Sequence, residues 1–96
     1  MSRDPHAGLI AALAERSGGP AASLGRRDWA SATFVGETHM IALSLPAAVA
    51  DDFIAALADM EFALPGHLVA DIVVSDRGEE GATARLTIEA LTLVEG

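Results

Sequence analysis

The sequence predicts an α+β domain: a four-stranded antiparallel sheet made of two β-hairpins, with two helices, in the order αββαββ. Three observations point to it: apolar residues at helical spacing in two segments, a period of two in the stretches that follow each of them, and glycine-containing turn signals between those stretches. Ninety-six residues with 51% hydrophobic content are enough for one core. Residues 1–96 are therefore read as a single domain, with an N-terminal helix and loop over 1–28 and a ββαββ body over 29–96.

Asp4-Pro5 followed by His6 to Arg16 is a helix start, because Asp caps free amides and Pro at the first helical position loses no hydrogen bond. Ser17-Gly18-Gly19-Pro20 ends it. Leu9, Ile10 and Leu13 form a narrow apolar stripe, so the helix depends on tertiary packing. His6 reads as a helix-end residue, and residues 17–28 as a loop. From Trp29 to Leu45 the period changes to two, and Gly36-Glu37 in its middle matches a Gly-first type II′ hairpin turn. That turn sets Val35 opposite Thr38 and Phe34 opposite His39. It gives a core face of Ala30, Ala32, Phe34, Ile41, Leu43 and Leu45, and an opposite face bearing Trp29, Ser31, Thr33, Val35, Thr38 and Met40.

Pro46 opens a second helix whose buried stripe is Val49, Phe53, Ala56, Leu57 and Met60. Leu64-Pro65-Gly66 ends it. Leu68, Ala70, Ile72 and Val74 then alternate with His67, Val69, Asp71 and Val73, and the return strand from about Ala82 to Val94 turns Ala84, Leu86, Ile88 and Ala90 inward. A three-residue loop at Arg77-Gly78-Glu79 sets Asp71 opposite Arg85 and His67 opposite Glu89, both favourable pairs. Leu9-Ile10-Ala11-Ala12-Leu13-Ala14-Glu15 also returns as Phe53-Ile54-Ala55-Ala56-Leu57-Ala58-Asp59, each copy ahead of a hairpin, which suggests an internal repeat.

Composition removes much chemistry. With no Lys, Asn, Gln, Tyr or Cys in the chain, thiol nucleophiles, thiolate metal sites, Schiff-base lysines and tyrosine acids are all excluded. The net charge is −8 and falls mostly on residues 31–96, a field that repels phosphate backbones and anionic membranes; Arg26-Arg27 is too small a cluster to reverse it. Ser2-Arg3-Asp4-Pro5 begins a capped helix instead of a signal peptide, and no stretch has the length of a membrane span. A chain without cysteine has no disulfide framework, so a cytoplasmic location is expected.

Candidate chemistry is sparse. His39, on the core side near the turn, has no Ser or carboxylate placed in sequence to complete a relay. His67, Asp71 and Glu89 share a face in this register, yet their spacing matches no zinc or iron pattern and Arg85 beside Asp71 repels a cation. Asp51-Asp52 and Glu79-Glu80 lie on a polar helix face and in a hairpin loop, where they read as solvated. The glycines form no phosphate-binding loop. No metal, cofactor or catalytic residue is expected.

The outer sheet face is different. Trp29, Val35, Met40, Val69, Val73, Leu91 and Leu93 all point there, among Thr33, Asp71, Arg85, Thr87 and Glu89, and contiguous apolar patches on monomers are small. Either the first helix crosses to this face, or a second subunit or a ligand covers it. The expectation is a non-catalytic interaction module, a homodimer through Trp29, Met40, Val69, Val73, Arg85, Leu91 and Leu93. The alternative is a small-ligand binding protein with an apolar pocket between helix and sheet, lined by Trp29, Phe34, His39 and Arg85. A third reading is a hydrolase or isomerase using His39 or His67 with a carboxylate.

Overall fold

The computed structural model describes residues 4–95, and its elements run α1 (Pro5–Ser17), β1 (Ala21–Ala30), β2 (Val35–Pro46), α2 (Ala47–Leu57), β3 (His67–Glu80) and β4 (Thr83–Val94). Ser2 and Arg3, expected ahead of the first helix, lie outside the described residues. The fold is α+β in the expected order αββαββ. All strand pairs are antiparallel and the sheet order is β1-β2-β4-β3, so each hairpin contributes one central and one edge strand.

Local chemistry accounts for α1. The Asp4 carboxylate accepts from the His6 amide at 3.1 Å, Pro5 occupies the first turn, and Gly18 closes the helix at φ 72° with its N–H on the Ala14 carbonyl. Leu9 and Leu13 are fully buried, and they meet Ala50, Phe53 and Leu57 of α2 in one core over Ile41, Leu43, Leu86 and Ile88. Both helices therefore cover the same face of the sheet. The molecule has two layers, and α1 does not cross to the outer face. Leu9 and Phe53, and Leu13 and Leu57, occupy matching places in the two copies of the helix sequence and are buried alike.

The turns differ from expectation. β1 begins at Ala21 inside the expected loop, and the first hairpin turns through Ser31–Phe34, where the Ser31 amide donates to the Phe34 carbonyl at 2.8 Å and Ser31 Oγ accepts from the Phe34 amide. Gly36 is a strand residue. A Cβ there would stand 1.9 Å from the Thr92 carbonyl oxygen, so close approach of β2 and β4 explains this glycine. The Gly-first two-residue turn is instead Gly81-Ala82, with φ +62° at Gly81 and no positive φ at Ala82, between the paired residues Glu80 and Thr83. Phe34 consequently sits in the loop and is exposed, not in the core, and Val49 of α2 faces solvent.

Two bulges reset β3. Val69 pairs with Thr92 and Asp71 with Leu91, leaving Ala70 over; Val74 pairs with Ile88 and Asp76 with Thr87, leaving Ser75 over. Val69 thus packs toward the core with Ile72 and Val74, while Leu68 turns outward. The expected cross-strand pairs do not form: Asp71 faces Leu91, Arg85 faces Gly78, and His67 faces Val94. Arg77, brought to the helix side by the second bulge, pairs with Asp51 of α2 and with Glu79.

Candidate functional site

The outer face is built in rows, because paired residues on adjacent antiparallel strands point to the same side. One row reads Trp29, Gly36, Leu93, Leu68 from β1 to β3; the next reads Arg27, Thr38, Leu91, Asp71; the third reads Gly25, Met40, Glu89, Val73. Met40, Val73 and Leu68 are exposed at 42%, 45% and 42%, while Trp29, Leu91 and Leu93 are half-buried by their neighbours. Leu24, the extra residue of a bulge between Ser23 and Gly25, adds a further exposed side chain at the β1 edge. Around the middle rows lies an open depression of about 500 Å³, lined by Leu24, Arg27, Met40, Asp71, Val73 and Leu91 among others.

In the second and third of these rows the charged side chains, Arg27, Asp71 and Glu89, form no ion pair among the described residues. Among the described arginines, Arg27 alone has neither a side-chain hydrogen bond nor an ion pair: Arg16 reaches the Glu61 carbonyl and stacks over Phe62, Arg26 holds Asp4 and Glu37, Arg77 holds Asp51 and Glu79, and Arg85 lies 3.4 Å from Glu80. Asp71 and Glu89 likewise form no ion pair among the described residues. Arg27 and Asp71 share a row, but across four strands their backbones lie about 14 Å apart, too far to meet.

On the helix side, the sequence reading missed a buried polar chain. His6 Nδ1 and His39 Nδ1 share a hydrogen bond at 2.8 Å with the rings stacked, His39 Nε2 lies 2.8 Å from Thr92 Oγ1, and His6 Nε2 lies 2.6 Å from Ser23 Oγ. His6, His39 and Thr92 are all buried. Arg26 caps the group from above, bonded to both Asp4 and Glu37, and holds the Asp4 carboxyl below the usual carboxylate range. Burial, with His6 beside it, pushes the His39 imidazole down to about 4, so it is neutral at neutral pH. Each ring nitrogen then has one partner when protons alternate along the chain. The available signal was positional: His6 takes the place that Ala50 takes in the second helix copy, a buried place.

The distances from Ser23 to His6 to His39 have the form of a nucleophile, base and orienting group. The third member, however, is an imidazole held neutral, which cannot stabilise positive charge on His6 as a carboxylate does. Its chemistry is that of a satisfied polar bridge docking α1 on β1, β2 and β4.

The remaining expected site residues do not converge. Of the ligand-binding set, His39 is buried under α1, Phe34 is in an exposed loop, and Trp29 and Arg85 lie near opposite ends of the outer face. Leu9, Leu13, Ile41 and Ile88 fill the space between helices and sheet where that pocket was expected. His67 Nδ1 bonds the Pro65 carbonyl at 2.9 Å, away from Glu89, and the described residues contain no cluster of three metal-ligating side chains. Among the described residues no helix is long and apolar enough to cross a membrane. No family model matches the chain, and no curated protein matches it.

Proposed function

We propose that this protein is a non-catalytic self-association module that forms a homodimer through the outer face of its sheet. One observation carries the reading: both helices cover one face, leaving Met40, Val73 and Leu68 exposed beside Trp29, Leu91 and Leu93 on the other. Burying such side chains is worth about 1.5–3 kcal/mol each. Trp29, Met40, Val73, Leu91 and Leu93 are the contacts, with Arg85 at the far end of the face. Val69, turned inward, is not among them. The net charge of −8 supports a partner that is neither nucleic acid nor an anionic membrane. A chain without cysteine suits the reducing cytoplasm.

Size-exclusion chromatography with light scattering tests this. The protein should elute with the mass of two chains, and Val73→Asp, which places a charge on the exposed face without touching the core, should elute as one. A one-chain mass for the unaltered protein at every concentration contradicts the reading, as does a Val73→Asp dimer of unchanged strength.

A further inference from the structure

Resting on that reading of the outer face, we propose that two copies pack sheet to sheet about a two-fold axis running along the strands between β2 and β4, so that Arg27 of each copy meets Asp71 of the other. A face-to-face contact has its two-fold in the plane of the contact, leaving two simple directions, along the strands or across them. The charges choose between them. An axis across the strands, centred on the row of Arg27 and Asp71, sets Arg27 against Arg27 and Asp71 against Asp71. An axis along the strands exchanges the β1 side with the β3 side and sets each Arg27 over an Asp71. These are residues that find no ion-pair partner within the described chain.

The same operation matches the shapes of the neighbouring rows. Trp29 comes over the partner copy's Leu68, Leu93 over its Gly36, and Val73 over its Gly25, a large side chain against a glycine in the last two cases. Packed sheets lie about 10 Å apart and cross at about 30°, which tilts the axis by half that angle and moves the row ends by less than an arginine's reach. Four strands about 4.8 Å apart and some nine residues long present about 600 Å² per copy. The total of about 1,200 Å² reaches the lower bound of stable interfaces.

Sedimentation equilibrium on Arg27→Asp, Asp71→Arg and the double variant tests the arrangement. Each single reversal should raise the dimer Kd about tenfold or more, and the double variant, which restores the pair with its signs exchanged, should return to within about threefold of the original. A double variant no tighter than the singles, or singles with unchanged Kd, overturns the arrangement while leaving a dimer standing. An unaltered protein that never dimerises overturns the self-association reading itself.

Crosslinking in this cysteine-free chain gives a second readout that does not depend on charge. A thiol crosslinker spanning about 10 Å should join Arg27→Cys to Asp71→Cys chains when the two proteins are mixed. It should not join Arg27→Cys chains to each other, because those positions lie about 17 Å apart in the proposed dimer. The reverse pattern contradicts the axis.

Discussion

His39 shows how one buried side chain ties a helix to a sheet. Its two nitrogens meet His6 and Thr92, and truncation to Ala would strand both partners and leave a cavity beneath α1. His39→Ala should therefore lower stability by about 2–4 kcal/mol, read as a shift in the urea midpoint. The imidazole also makes stability depend on pH. An unfolded His39 takes up its proton near pH 6.5 and the folded one near 4, so between those values the unfolded state binds more protons. The stability present above pH 6.5 is lost as pH falls through that window, and the loss should shrink in His39→Ala. The pair was not legible in the sequence because 32 residues separate its members. Only the closure of α1 over β2 brings them together.

At the scale of elements, the two predicted helices and the inward positions of β2 and β4 were legible because capping residues and strict periodicity act locally. The turns were not. Gly36-Glu37 and Gly81-Ala82 are both Gly-first pairs, and the sequence places a type II′ turn equally well at either. What separates them is that Gly36 lies against the Thr92 carbonyl, a contact made across β2 and β4. The two glycines should therefore respond differently to substitution. Gly81→Ala places a Cβ at φ +62° in open space and should cost about 1–2 kcal/mol, partly recovered by Asn, whereas Gly36→Ala forces the central strands apart and should cost more, with no recovery by Asn. Thermal denaturation of the four variants checks this. β1 up to Asp28 was read as loop for a related reason: Ser23 to Asp28 has few strong strand formers and is held extended by pairing with β2. The β3 bulges, which no local signal marks, turned Val69 inward, while the turn at Gly81-Ala82 in place of Arg77–Glu79 undid the charge-based register.

For the whole molecule, the decisive feature is the asymmetry of its two layers. The strand order β1-β2-β4-β3 sets the two hairpins side by side, and both helices that precede them fall on one side. The half-apolar character of the outer face was legible from alternation alone. That α1 leaves it uncovered was not, since the stripe of Leu9 and Leu13 fits either face equally. In the proposed dimer Glu89 lies over the partner copy's Met40, and with two carboxylates to each Arg27 it is the charge least compensated. Glu89→Gln should tighten the dimer, read as a lower Kd. Native mass spectrometry of the untagged protein decides whether the outer face joins two copies, because it counts subunits and retained ligands together. Two chains with nothing else bound is the predicted result; a single chain under the same conditions contradicts it.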